Sequence, residues 1–157
     1  MINKLILRKP SESDLNQFLV WENSLKNIHY TDRPVFYSVN QLQKFLNSDQ
    51  DLLLHNQLRL VIQYGDLAVG CIDLYDFDIV NSRAGVGIFL DAKFRAQGLG
   101  AKSLALLKKI SSEQYIINSL YADIISSNIS SIKIFEKNGF IKTGTKKSWF
   151  RVEDSFE

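Results

Sequence analysis

The sequence predicts an α+β fold, in which one mostly antiparallel sheet is flanked by helices, and three observations lead to this prediction. Three consecutive runs are rich in β-branched and aromatic residues, and they cover 58–64, 67–76 and 83–91. The turn signals Gly65-Asp66 and Asn81-Ser82 separate these runs, as expected for an antiparallel meander. From Gly98 onward, the apolar residues recur at helical spacing instead.

The N-terminal part of the chain predicts one strand and two helices. Residues 4–8 are apolar enough for a first strand, and Ser11 or Ser13 caps a helix that follows. That helix turns Leu15, Phe18 and Leu19 inward. Ser38 to Asn47 is a second helix, with its apolar residues on one side. The segment between the two helices, rich in His, Tyr, Asp, Arg and Pro, is predicted to be a loop.

The C-terminal part alternates helices and strands. The helix after Gly98 places Leu106, Leu107 and Ile110 on one face. Residues 120–125 predict a strand. A short helix then runs from Asn128 to Lys137 and ends at Asn138-Gly139, and a last strand begins at Phe140. The predicted order of elements is β-α-α-β-β-β-α-β-α-β.

Length and composition limit the class of protein. The chain has 157 residues, 45% hydrophobic and 23% charged, so we expect one domain over residues 1–157. A net charge of +2 argues against a nucleic-acid binder. The single Cys71 and the separated His29 and His55 predict no disulfide framework and no zinc site. No apolar stretch approaches about 20 residues and Met1 begins no signal-like segment, so we expect a cytoplasmic protein that does not bind membranes.

A glycine-containing loop lies between a predicted strand and the helix after it. Its residues are Arg95, Ala96, Gln97, Gly98, Leu99 and Gly100. Successive backbone N–H groups and the positive end of a helix can bind a phosphate there. A P-loop would need glycine at Ala96 and Ala101, and a dinucleotide-binding loop would need glycine at Ser103, so both are excluded. A turn that only starts a helix is the alternative.

A second segment, residues 128–140, has simple explanations for each of its parts. Asn128 can cap a helix, Phe135 can belong to the core, and Gly139 can end the helix. The order of this segment after the glycine-containing loop carries more information than either segment alone.

Together, the two segments resemble the GNAT superfamily of acetyl-CoA-dependent N-acetyltransferases. The first family motif reads Arg/Gln-x-x-Gly-x-Gly/Ala, and it is matched by Arg95, Gly98 and Gly100. The second reads Asn-x-x-Ala/Ser-x-x-x-Tyr/Phe-x-x-x-Gly-Phe, and it is matched by Asn128, Ser131, Phe135, Gly139 and Phe140. The opening residues 5–15 and Trp21-Glu22-Asn23 are similar to the branch with polyamine and ribosomal-protein acetyltransferases.

The resemblance implies a mixed sheet of about six or seven strands with about four helices. The strands at 83–91 and 120–125 would splay apart and leave a V-shaped slot for the pantetheine arm of acetyl-CoA. The implied cofactor-binding residues are Phe89 and Leu90 for the pantetheine amides, Arg95 to Gly100 for the pyrophosphate, Asn128, Ser131 and Phe135 beside the thiol arm, and Lys137 near the nucleotide phosphates.

Acetyl transfer needs a group that removes a proton from the amine. Many family members carry a glutamate where this chain has Gly85, and a tyrosine acid where it has Phe135. Some relatives instead carry an acid twelve residues before the tyrosine position, which makes Asp123 the candidate base and Tyr121 the candidate acid. The alternative for Asp123 is a strand carboxylate that faces solvent.

Charge placement indicates the acceptor. Residues 66–78 hold four aspartates and no Lys or Arg, which predicts attraction of a cationic amine, and Asp73 is the candidate ligand. The predicted function is therefore acetylation of a small amine such as a polyamine or diamine. The predicted assembly is a homodimer. An aminosugar nucleotide or a protein N-terminus is the alternative acceptor. A CoA-binding module without catalysis is the alternative function.

Overall fold

The computed structural model describes residues 4–24, 35–152 and 154–157, and it is built around one five-stranded sheet. The strands, in both chain and spatial order, are β1 (Leu5–Arg8), β2 (Leu58–Tyr64), β3 (Leu67–Asp78), β4 (Arg83–Leu90) and β5 (Ser119–Tyr121). The pairs β1–β2, β2–β3 and β3–β4 are antiparallel, and the pair β4–β5 is parallel. The predicted α+β class and its meander are confirmed.

The helices of the described residues are α1 (Leu15–Glu22), α2 (Val39–Leu46), α3 (Leu52–His55), α4 (Leu99–Gln114) and α5 (Ile129–Lys137). The start of α2 shows why the predicted bounds hold: the Ser38 hydroxyl accepts a hydrogen bond from the Gln41 amide, and the Gln41 side chain accepts one from the Ser38 amide. Only the one-turn helix α3 was not predicted. None of these helices is both long and apolar enough to cross a membrane.

Each face of the sheet carries its own apolar core, because neighbouring strand residues point to opposite faces. On one face, Ile62 and Ile72 belong to a core that includes Leu104 and Leu107 of α4. On the other face, the neighbouring Val61 packs with residues of α1 and α2, which are Phe18, Trp21, Leu42 and Leu46. The sheet is therefore held between two helical layers, α4 and α5 below and α1 and α2 above.

One ion pair fixes the start of α1 to the first strand. The Arg8 guanidinium donates two hydrogen bonds of 2.7 Å to the Asp14 carboxylate, whose side chain is only 4% exposed. Burial by itself raises the pKa of Asp14, but the hydrogen bonds from Arg8 and Ser11 outweigh it, so this pKa lies below its usual value.

Strands β4 and β5 pair over only three residues. Arg83, Ala84 and Gly85 are opposite Ser119, Leu120 and Tyr121. Beyond Gly85, β4 continues to Leu90, but among the described residues no strand pairs with it on the β5 side. The two strands therefore part after Gly85, as the V-shaped slot requires.

Two predicted strands differ from the structure. The strand predicted over 120–125 covers Ser119–Tyr121 instead, because its pairing with β4 stops at Gly85. The strand predicted from Phe140 is wrong, since residues 140–150 are not in a strand, and only β6 (Arg151–Val152) and β7 (Ser155–Phe156) form a separate hairpin. The loop predicted between α1 and α2 lies mostly outside the described residues.

Candidate active site

The loop before α4 has the geometry of an anion site. Gly98 has φ +75°, and a Cβ atom built there would meet nothing within 4 Å. It is also the N-cap of the sixteen-residue α4, so no capping side chain competes for the first backbone N–H groups of the helix. Ala96 has a positive φ as well, which curls the loop around this point. A phosphate can therefore approach the backbone closely, and these residues fit the pyrophosphate of acetyl-CoA.

Gly100 allows the first turn of α4 to pack closely against its neighbours. A Cβ atom at this position would lie 3.0 Å from Ile134 Cδ1 of α5 and 3.3 Å from Leu90 Cδ1 of β4. The first turn of α4 thus sits closely against the end of β4 and against α5. The second glycine of the motif is required by packing.

Arg95 braces the end of β4. Its Nε donates a 2.9 Å hydrogen bond to the Leu90 carbonyl, and its guanidinium lies 6.0 Å from the centre of the Phe89 ring. The Phe89 ring in turn contacts Trp21 of α1, with 5.6 Å between ring centres. The predicted pantetheine-binding backbone at Phe89 and Leu90 is therefore held in place by Arg95 on one side and by α1 on the other.

The second motif is positioned by the start of α5. The Asn128 side chain accepts hydrogen bonds from the Ser131 amide at 3.2 Å and from a neighbouring hydroxyl, so it caps the helix. Phe135 is 4% exposed and packs edge to face on Phe140, with 4.9 Å between ring centres. Lys137 is exposed in the last turn of the helix. These positions explain the motif structurally, and the cofactor contacts of Asn128, Ser131, Phe135 and Lys137 stay predictions.

Two tyrosines lie where β4 and β5 part. A Cβ atom at Gly85 would be 2.3 Å from Tyr75 Cε2, so the Tyr75 ring lies directly on the Gly85 backbone. The Tyr121 ring stands edge-on to Tyr75, with 6.1 Å between centres, and is 38% exposed. Burial, followed by the charges of Asp76 and Asp123, raises the pKa of Tyr121. Tyr121 therefore keeps its proton at neutral pH.

Asp73 is part of an ion cluster on the same face. It pairs with Gly87 of β4, as its predicted position beside that strand requires. Its two carboxylate oxygens accept hydrogen bonds of 2.8 Å each from Arg59, which also binds Glu22 of α1 at 2.7 Å. With one positive and two negative side chains, this Arg59 cluster has a net formal charge of −1. Any attraction for an amine therefore belongs to the cluster, because Asp73 alone is neutralised.

The candidate base is paired in this structure. Asp123 lies two residues beyond the end of β5, and its Oδ2 accepts a 2.7 Å hydrogen bond from Lys146 Nζ. Both side chains are about half-exposed, and the Lys146 ammonium also lies 5.1 Å from the centre of the Trp149 ring. Tyr121 is thus the last residue of β5 and Asp123 lies just beyond it, outside the strand, so their roles as acid and base stay predictions.

Sequence reasoning missed Tyr75, Glu22, Arg59 and Lys146. A signal existed for Tyr75, because a glycine inside a strand, here Gly85, often marks the close approach of another group. No comparable signal existed for the Arg59 cluster, whose members come from three elements far apart in the chain.

Comparison with known proteins gives the family. The model of the acetyltransferase (GNAT) domain matches residues 4–141. The spermine/spermidine N(1)-acetyltransferase of Bacillus subtilis is 33% identical over 67 residues, which are 42% of this chain and 44% of that protein. The chain thus matches less than half the length of this relative.

Solved structures show the same fold over nearly the whole chain. Spermidine N-acetyltransferase from Vibrio cholerae, in complex with CoA and spermine, has a TM-score of 0.85 at 17% identity and covers 97% of this chain and 89% of its own. The ribosomal L7/L12 alpha-N-protein acetyltransferase in complex with coenzyme A has a TM-score of 0.83 at 21% identity, with 97% and 88% covered. Since the family model matches most of the chain, and the fold and the two motifs agree with it, the chain belongs to the GNAT acetyltransferases.

Proposed function

We propose that this protein transfers the acetyl group of acetyl-CoA to a primary amine of a small cationic molecule, such as a diamine or polyamine. The observation that carries the proposal is the surface over Gly87, at the end of the slot. A Cβ atom there would lie 3.9 Å from both the Asp73 carboxylate and the Tyr75 ring. A bare stretch of backbone is therefore flanked by an aromatic ring and a negatively charged cluster, and both attract ammonium groups.

The cosubstrate would be held by groups already in place. The N–H groups from Gln97 to Gly100 bind the pyrophosphate, and the unpaired edge of β4 near Phe89 and Leu90 hydrogen-bonds to the pantetheine amides. Asn128, Ser131, Phe135 and Lys137 line the opposite side. Acetyl-CoA supplies the activated thioester, whose acetyl group would then lie where β4 and β5 part, next to Tyr121.

Two side chains there can move the required protons. An alkyl amine has a pKa of about 10.4 and is protonated at neutral pH, so it cannot attack before it loses a proton. The Asp123 carboxylate accepts that proton. The Tyr121 hydroxyl donates a proton to the leaving sulfur, which Phe135 cannot do because it has no hydroxyl group.

The relatives support a primary amine but differ in acceptor. Two of them are described as acting on spermidine or spermine, and another acts on the N-terminus of a ribosomal protein. We choose the small cationic amine because of the Arg59 cluster and the aromatic pair. One similar structure, of a spermidine N-acetyltransferase, is dodecameric. That the present chain forms a homodimer stays a prediction.

The test is an assay of CoA release with four acceptors: spermidine, a diamine, a nucleotide-linked aminosugar and a peptide with a free N-terminus. We expect the highest kcat/KM for the two cationic amines, with a KM that rises with ionic strength. Release of CoA with none of them would favour a CoA-binding module without catalysis. A preference for the anionic aminosugar would contradict the proposed acceptor.

The role of Asp123 is tested with Asp123→Asn. Loss of a working base should lower kcat about 10²- to 10⁴-fold while the Kd for acetyl-CoA stays constant. Asp66→Asn, at an exposed turn between β2 and β3, is the matched control and should keep wild-type kcat. An unchanged kcat in Asp123→Asn would remove Asp123 from the mechanism.

A further inference from the structure

A lysine of the protein itself contacts the proposed base. Lys146 Nζ is a primary alkyl ammonium 2.7 Å from Asp123 Oδ2, the oxygen proposed to take the proton from the acceptor. The Lys146 side chain is 52% exposed, so this contact lies at the protein surface. The face of the Trp149 ring, 5.1 Å away, provides a second attraction for this cation.

The chain that follows Lys146 is anchored by hydrogen bonds of Glu157. The Glu157 carboxylate accepts hydrogen bonds from Ser126 and Ser127, in the turn that leads into α5. The Glu157 backbone exchanges further hydrogen bonds with Trp149 and Phe150. The chain that follows Lys146 is therefore tied to the turn before α5, while Lys146 itself contacts Asp123, just beyond the end of β5.

We propose that Lys146 is an internal acetyl acceptor: without a bound amine, the enzyme acetylates its own Lys146 Nζ. The inference rests on the proposed function, because it uses the same base and the same thioester. It adds a covalent modification site to the chain. In this proposal the Lys146 ammonium and the ammonium group of a free amine bind the same carboxylate, so free amines compete with Lys146 for Asp123.

The reaction balances without any further reagent. Asp123 takes a proton from the Lys146 ammonium, and the lone pair freed on Nζ forms a bond to the acetyl carbonyl carbon. The bond from this carbon to the CoA sulfur breaks, and its electron pair leaves with the sulfur. The sulfur receives a proton from Tyr121, which regains one from the new amide nitrogen, and Asp123 releases its proton to solvent. The products are acetyl-lysine, CoA and one proton.

The modified side chain cannot return to the same contact. Acetyl-lysine is neutral, so it no longer forms an ion pair with Asp123. The carboxylate is then free for an external ammonium group. Self-acetylation therefore removes an internal competitor of the substrate.

The experiment incubates the full chain with acetyl-CoA in the absence of amine and follows each lysine by peptide mass spectrometry. Lys142 and Lys147 are internal controls, since they lie in the same basic run, and within the described part of the chain neither contacts a carboxylate. We expect the acetyl group on Lys146 first, and its rate should fall about 10²-fold or more in Asp123→Asn. An added diamine should slow it. Equal rates at the three lysines would overturn the proposal.

Binding without acetyl-CoA gives a second readout. By calorimetry, Lys146→Gln, which imitates the acetylated side chain, should bind a diamine up to about fivefold more tightly than Lys146→Arg, which keeps the cation. Equal affinities of the two variants would contradict the competition. If Lys146 stays unmodified during incubation with acetyl-CoA alone while the same enzyme turns over a diamine, this inference is overturned and the proposed function is left intact. Neither turnover nor modification would refute both.

Discussion

Gly85→Ala tests whether the contact between Tyr75 and β4 shapes the end of the slot. The added Cβ atom would lie 2.3 Å from Tyr75 Cε2 and 2.5 Å from Cζ. Ordinary contacts begin near 3.4 Å, so the ring has to retreat by about 1 Å. Because Tyr121 packs edge-on against Tyr75, the retreat also disturbs the candidate acid.

The free-energy cost follows from overpacking. Forcing one extra carbon into a filled position costs about 1–3 kcal/mol. Replacing glycine by alanine within a strand recovers about 0.5–1 kcal/mol, because the unfolded chain loses less freedom on folding. The matched variant is Gly87→Ala, two residues along the same strand and on the same face, where the new Cβ atom is 3.9 Å from its nearest neighbours. Since both variants share the backbone gain, their difference isolates the steric cost.

The assay is thermal and urea unfolding of the two variants. At about 2–4 °C per kcal/mol for a domain of this size, Gly85→Ala should melt about 2–12 °C below Gly87→Ala. The m-value should be the same in both, because the surface exposed on unfolding does not change. Equal Tm values would show that Tyr75 yields without cost and that the close contact does not define this site.

Two other predictions concern charge. In thermal scans, Gly98→Asp should abolish the stabilisation by acetyl-CoA, about 2.7 kcal/mol at a hundredfold excess over Kd, whereas Gly98→Asn, which tolerates a positive φ and adds no charge, should keep part of it. Wild-type stabilisation of the Asp variant would refute the loop assignment. The lowered pKa of Asp14 means that its pair with Arg8 stabilises the fold above the unfolded pKa of about 3.9, and that this stability is lost as the pH falls through the lower folded pKa. The difference in urea midpoint between wild type and Asp14→Asn should therefore be large at pH 7 and shrink below pH 4, and a constant difference would contradict this explanation.

Local signals in the sequence were sufficient for most elements. The run 58–64 coincides with β2, and the helical spacing after Gly98 coincides with α4, because alternation and helical period are properties of a few neighbouring residues. The end of β5 at Tyr121 was not predictable in this way. Whether a strand continues depends on a partner elsewhere in the chain, and here β4 turns away.

Fewer of the site contacts than of the helices and strands were predictable, because many of these contacts join residues that are distant in the chain. The glycine-containing loop and the cap at Asn128 are local motifs, and the sequence revealed both. The Arg59 cluster joins residues separated by 14 and 37 positions, and the contact of Asp123 with Lys146 spans 23. Such pairs are set by register and packing, so a charged residue in the sequence does not reveal its partner.

The unpaired edge of β4 has a consequence for solubility. Exposed strand edges are templates on which other chains can add strands and aggregate. In this chain, Arg95 binds the Leu90 carbonyl and blunts one end of that edge, while the stretch from Val86 has no strand beside it within the described residues. A ligand that hydrogen-bonds along this stretch acts as a temporary extra strand. With acetyl-CoA bound along β4 as proposed, this stretch is covered, and we expect removal of the cosubstrate to increase self-association of the folded protein.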